Sequence, residues 1–174
     1  TKDRWLLWGS RYQPEAHWFA QLTFALKYEG VDLAIIRRLF GALAIADIVA
    51  SIKNEMTGSY SRRIWFFYEW LTEQRLPIED VTKGNYVDAL NEVLQFGCAK
   101  TKVSRQRINN NLPGVNGFCP LIRKTHKLVQ YIEQRLDEKA AKNIGNVHSD
   151  LLARAAAFLL LSDSKASYTI EGET

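Results

Sequence analysis

Apolar side chains recur at helical spacing over most of the chain. Trp18, Leu22, Ala25 and Leu26 fall three and four residues apart, on one face of a helix, and Gly30 stops the run. Pro14 can open that helix in its first turn, with Glu15 at the positive end of its dipole. Asp32 reads as the N-cap of a second helix through Leu33, Ile36, Leu39, Phe40 and Leu43. Ile45, Ile48, Val49 and Ile52 mark a third. After the break at Thr57-Gly58-Ser59, the residues Ile64, Phe67, Tyr68 and Leu71 form one face of an aromatic helix. Trp65 and Trp70 lie off that stripe, so this helix is expected to be covered on more than one side.

From residue 76 to 118 the periodicity dissolves. Pro77, Gly84, Gly97, Pro113, Gly114 and Gly117 punctuate short apolar pieces such as Tyr86-Val87 and Val93-Leu94, which predicts loop with room for a short hairpin. Pro120 is expected to start another helix through Leu121, Ile122, Leu128, Ile132 and Leu136, and Gly145 ends the region after it. Ser149 or Asp150 opens the next, through Leu151, Leu152, Ala155, Ala156, Leu159 and Leu160. The predicted class is mainly α: a helical N-terminal module, a loop-rich middle, and the start of one more helix at the end. The segments are 1–56, 57–145 and 146–174, expected to pack as one compact domain.

Composition narrows the picture. The 174 residues, 47% of them hydrophobic and including five Trp, seven Tyr and eight Phe, supply enough apolar surface for a core without staples. That richness in aromatics argues against disorder over most of the length. The longest apolar stretch, Leu151 to Leu161, is interrupted by Arg154 and falls short of the roughly 18 residues a membrane span needs. It reads as a core helix. Cys98 and Cys119 read as reduced thiols of a cytoplasmic protein, without disulfide scaffolding. The net charge of +4 allows an acidic partner and does not demand one.

Charge is less evenly spread than this total suggests. Between Val93 and Ile132 stand Lys100, Lys102, Arg105, Arg107, Arg123, Lys124 and Lys127, and no acidic residue. Beside Asn109, Asn110 and Asn111 they make a candidate basic surface for a nucleic-acid backbone. The competing reading is an ordinary basic face answered by acids such as Glu133, Asp137 and Glu138. Arg62 and Arg63, next to Trp65, are expected in buried ion pairs with Glu69 or Glu73. His17, His126 and His148 lack metal-ligand spacing, and the cysteines have no companion pair, so no metal site is predicted.

The last motif is Ser167-Tyr168-Thr169-Ile170-Glu171-Gly172. Positions four apart share a helix face, so Ser167 and Glu171 can present together, and Ser162 or Asp163 can cap the helix that carries them. Elementary chemistry gives only a polar helix edge. The pattern Ser-x-x-x-Glu-Gly nevertheless resembles the inhibitory motif of Fic proteins, [Ser/Thr]-x-x-x-Glu-[Gly/Asn], which lies just ahead of the Fic core. Two further stretches, Tyr60-Ser61-Arg62-Arg63-Ile64-Trp65-Phe66-Phe67-Tyr68-Glu69-Trp70-Leu71 and Asn110-Asn111-Leu112-Pro113-Gly114, are similar to the N-terminal region of one bacterial Fic subgroup. The resemblance spans residues 57–174.

The resemblance implies a parent protein that transfers AMP from ATP, with a divalent metal, to a hydroxyl on an unknown protein target. The family's core motif resembles His-Pro-Phe-x-Asp-Gly-Asn-Gly-Arg-x-x-Arg. An inhibitory glutamate pairs with its last arginine and keeps that arginine from the ATP γ-phosphate. By this likeness Glu171 is the inhibitory carboxylate, Ser167 its helical support and Gly172 the motif's final residue. None of the three histidines stands in the core motif's context, so no catalytic residue is predicted in this chain. The expected partner is a Fic core in cis, in a longer protein of which this sequence is a piece.

Overall fold

Four helices follow one another in the N-terminal part, where the spacing predicts them: α1 (Trp18–Tyr28), α2 (Leu33–Ala42), α3 (Ile45–Asn54) and α4 (Ser59–Thr72). The computed structural model describes residues 9–144 and 149–171. Asp32 caps α2 as expected, its Oδ1 accepting the Ala34 and Ile35 N–H groups at 3.1 Å each. Pro14 does not open α1. The carbonyls of Pro14 and Glu15 accept the Gln21 amide at 3.4 and 2.8 Å, and the helix begins only after His17, whose Nδ1 caps the Phe19 N–H at 3.3 Å. Gly30 ends α1 at φ +92°, where a side chain would be strained.

The core forms around α4. This helix contacts α1, α2 and α3 on one side and the strands on another. Nine of its residues are buried, among them Ile64, Trp65 and Phe67 with no exposed surface. Leu26, Ile36, Phe40, Ile48 and Ile52 meet it from the three preceding helices. Phe40 packs edge-on against Tyr68 with ring centroids 5.2 Å apart. The aromatic helix is thus covered on more than one side, as Trp65 and Trp70 suggested.

The loop-rich middle contains the hairpin. β2 (Thr101–Val103) pairs antiparallel with β3 (Ile108–Asn110), in register Thr101↔Asn110, Lys102↔Asn109 and Val103↔Ile108. β1 (Val87–Asp88) adds parallel to β3, giving the order β1-β3-β2. β1 and β3 contact α4, and Ile108, Ala89 and Leu90 are fully buried beside it.

The helix expected from Pro120 starts only at His126, where it takes in Leu128 and Ile132 but not Leu121 or Ile122. Residues 121–124 are extended instead, with Gln95 bridged to Arg123 and flanking bonds from Phe96 N to Ile122 O (3.0 Å) and Lys124 N to Leu94 O (2.9 Å). A partner segment distant in sequence satisfies this backbone, which local spacing could not reveal. Helix resumes at α5 (His126–Glu133), capped by Thr125 Oγ1 on the Leu128 N–H at 3.2 Å. Arg135, at φ 48°, separates it from α6 (Leu136–Ile144). The stop expected at Gly145 lies outside the described residues.

Residues group into two compact units, Thr1–Lys124 and Thr125–Thr174. The boundary expected at 56/57 falls inside the first, where α4 packs on the helices before it. The second contains α5, α6 and a long α7 (Ser149–Glu171). α7 opens where predicted and runs through Ser162 and Asp163 without a new cap, because the leucines, alanines and lysine around them favour helix. Leu151 to Leu161, read as a core helix, is exposed apart from a half-buried Leu152. Among the described residues no helix is long and apolar enough to cross a membrane.

Candidate functional site

The Ser-x-x-x-Glu spacing lies at the end of α7. Ser167 and Glu171 belong to one uninterrupted helix, so four residues of spacing place them about one turn apart on the same side. Ser167 is exposed, and the neighbouring Thr169 hydroxyl bonds back to the Lys165 carbonyl at 2.8 Å. Gly172 lies outside the described residues. On the same helix Phe158, Leu159, Leu160 and Leu161 are 71, 61, 69 and 55% exposed. With Ala155, Ala156 and Ala157 they make seven consecutive apolar residues, two turns with no polar side.

The basic stretch resolves into separate roles. Arg105, at the tip of the β2–β3 hairpin, reaches back to α4. Its Nε lies 3.1 and 3.0 Å from the two Glu69 carboxylate oxygens, and its Nη2 lies 3.0 Å from Oε1 and 2.7 Å from the Leu76 carbonyl. Nη1 bonds Asp80. Arg105 also stacks over Trp65, 4.7 Å from the ring centroid, while the Trp65 indole N–H donates to Glu69 at 2.8 Å. Gln106 donates to the second Glu69 oxygen at 2.5 Å. Burial by itself would raise the Glu69 carboxyl, but bonds from Arg105, Trp65 and the Leu76 N–H outweigh it and hold the group below its ordinary range.

Lys100 pairs with Asp88 at 2.6 Å and approaches Glu92 at 3.8 Å. Arg107 donates to the Gly84 and Thr82 carbonyls at 2.5 and 3.5 Å, and its backbone takes φ 52° to close the hairpin turn. Both Lys102 and Arg107 lie over Tyr86, at 5.3 and 4.8 Å from its centroid. Lys124 lies over Phe96, Lys127 over Tyr131, and Arg123 is exposed. Among the described residues no carboxylate pairs with Lys102, Arg107, Arg123, Lys124 or Lys127. The three asparagines are occupied: Asn109 donates to Asp88 (2.8 Å), Asn110 accepts the Leu112 N–H (3.1 Å), and fully buried Asn111 brackets the Leu90 backbone (2.8 and 3.2 Å).

Arg62 and Arg63 do not form the ion pairs expected of them. Arg63, 5% exposed, donates to the Ala89 and Leu26 carbonyls at 3.0 and 3.5 Å, and Arg62 to the Asn85 and Arg107 carbonyls at 2.7 and 3.4 Å. Each arginine thereby ties together backbone carbonyls from two separate parts of the chain. Burial lowers the Arg63 guanidinium to about 10. Glu73, the other expected partner, is instead the left-handed C-cap of α4 at φ 57°. The acid that does meet an arginine is Glu69, and the arginine comes from 36 residues away.

His17 serves as a helix cap, His126 opens α5, and His148 lies outside the described residues. Cys98 and Cys119 are free thiols. No group of three or more His, Cys, Asp or Glu among the described residues could hold a metal ion. The sequence reading missed Gln95, Asp80, Asp88 and Gln106 as structural anchors. The acid-free run beside them was the available signal, since uncompensated lysines and arginines must find partners elsewhere. No protein-family model, curated protein or solved structure matches the chain.

Proposed function

We propose that this chain is the N-terminal regulatory and docking portion of a Fic-type AMP-transferase, with Glu171 as its autoinhibitory carboxylate. The observation that supports the reading most is the continuity of α7, which carries Ser167 and Glu171 on one face beyond an all-apolar segment. A helix without a polar side over two turns belongs inside a helical body. A Fic core in cis would supply that body and bring an arginine to Glu171. Arginine is the bidentate partner of both carboxylate and phosphate, so the glutamate competes with the ATP γ-phosphate for one guanidinium. A preference of about 2.7 kcal/mol for the blocked state suppresses transfer ~100-fold.

In this reading ATP and a divalent metal bind the parent's core, and the chain itself contributes no catalytic group. The decisive experiment uses the parent protein and labelled ATP. Glu171→Gly is expected to raise auto-AMP transfer on the order of 100-fold; unchanged labelling removes Glu171 from the inhibitory role. A nucleic-acid- or protein-binding module is the second reading, favoured by the cation–aromatic arrangement of Lys102 and Arg107 on Tyr86. The engagement of Lys100 and Arg105 with internal acids weighs against it. It predicts an affinity for nucleic acid that falls steeply with salt, and a flat response ends it.

A further inference from the structure

The first unit holds a cleft of about 460 Å³ between the start of α2 and the bridged segments around Gln95 and Arg123. That volume falls in the range of small-ligand sites. Its floor is apolar, formed by Val31, Leu33, Leu71 and Leu121.

One amide fixes the cleft. Gln95, 1% exposed, clasps the Val31 backbone 64 residues away, accepting its N–H at 2.7 Å and donating to its carbonyl at 2.9 Å. Gly30 allows this approach, because a Cβ there would stand 2.8 Å from the Gln95 Oε1. Directly opposite residues in an antiparallel pair project to the same face, so the bridge between Gln95 and Arg123 puts the arginine on the side where Gln95 grips Val31. Arg37 lines the cleft from α2 itself.

The charges here are unequal. Arg37 and Arg123 are exposed, and neither pairs with a carboxylate among the described residues. Asp32, the one acid in the lining, is engaged as the cap of α2. The lining therefore combines apolar side chains with two arginines and the positive end of a helix, against one carboxylate already bonded to backbone N–H groups.

We propose that this cleft binds a monocarboxylate attached to an apolar body, the guanidiniums of Arg37 and Arg123 taking the carboxylate and the leucine-rich floor taking the apolar part. A fatty acid and a peptide ending in a free apolar residue share this chemistry. A dianionic phosphate suits the cleft less well, because Asp32 lies in the same lining and repels the second charge.

Cys119 provides the readout, since it lines the cleft, while Cys98 is exposed, lies outside the lining and serves as the internal control. The experiment alkylates the whole chain with iodoacetamide at mildly alkaline pH and follows each cysteine by peptide mass. Probes are decanoate and a tripeptide ending in leucine as the free acid, with decanamide and the tripeptide amide as neutral counterparts. At least one acid is expected to slow alkylation of Cys119 about tenfold at roughly ten times its dissociation constant, leaving Cys98 unchanged. Which acid protects identifies the source. The amides should not protect, and Arg37→Ala with Arg123→Ala should abolish the effect without altering the circular dichroism. Absence of protection by both acids, equal protection by acid and amide, parallel slowing of both cysteines, or protection that survives the double substitution would each overturn the proposal.

Discussion

Two helices of similar sequence character have opposite fates in this chain. α4 has Ile64, Trp65, Phe66, Phe67 and Tyr68 in an unbroken run, and all five are buried. α7 has an unbroken run from Ala155 to Leu161, and all seven are exposed. Each lacks a polar side over that run, and such a helix is stable in water only when something surrounds it. α4 obtains its surroundings from α1, α2, α3 and the strands. The run in α7 is exposed, and the docking proposed above rests on that exposure.

The comparison can be broken most sharply at Trp65. Trp65→Ala removes a fully buried ring together with its contacts to Arg105 and Glu69. A loss of about 3–5 kcal/mol is expected from chemical denaturation. A loss below ~1 kcal/mol would show that α4 is not the centre of the core.

Glu69→Gln tests the polar clasp on the same helix. The Glu69 and Arg105 side chains are only 16 and 13% exposed, so removing one charge leaves the other largely desolvated, at a cost of about 2–4 kcal/mol. The folded carboxyl lies below its ordinary value of 4.5, so its contribution is complete above that pH and disappears as pH falls through the lower folded value. The wild-type chain should therefore lose stability on acidification below 4.5 more steeply than Glu69→Gln. Parallel pH profiles for the two proteins would exclude Glu69 as an ionised partner.

The smallest expected effect is on α7. Leu160, 69% exposed, is replaced by Asp with a change of less than about 0.5 kcal/mol in the denaturation of this chain. Binding of an apolar dye should fall at the same time. If Leu160→Asp instead destabilises the chain as Trp65→Ala does, α7 is already enclosed and the contrast with α4 disappears.

Local chemistry made much of the first unit legible. Asp32 announced a cap because its carboxylate needs only N–H groups two and three residues away, and Gly30 announced a stop because only glycine accepts that backbone readily. The start expected at Pro120 failed for the converse reason. Its apolar spacing was helical, but backbone partners at residues 94–96 made extended structure the better solution. The arginines misled in the same way: nearness in sequence favoured Glu69 for Arg62 and Arg63, whereas the fold brought Arg105 to it across 36 positions.

The candidate sites divide along the same line. Ser167 and Glu171 were visible because a helix face is a property of spacing alone, and α7 needed only its own helix-forming residues to continue through Asp163. The cleft beside α2 was not visible. Val31, Arg37, Gln95, Cys119 and Arg123 share no local pattern and meet only after the Gln95 clasp closes 64 residues of chain. By itself, then, the sequence determined most of the helices, the Asp32 cap and the Ser-x-x-x-Glu spacing on the last helix, since hydrogen bonds and side-chain periodicity over a few residues settle those. Tertiary structure alone decided which apolar helix was buried, which acid each arginine met and where a cleft opened, because burial and ion pairing depend on distances in space that spacing along the chain does not encode.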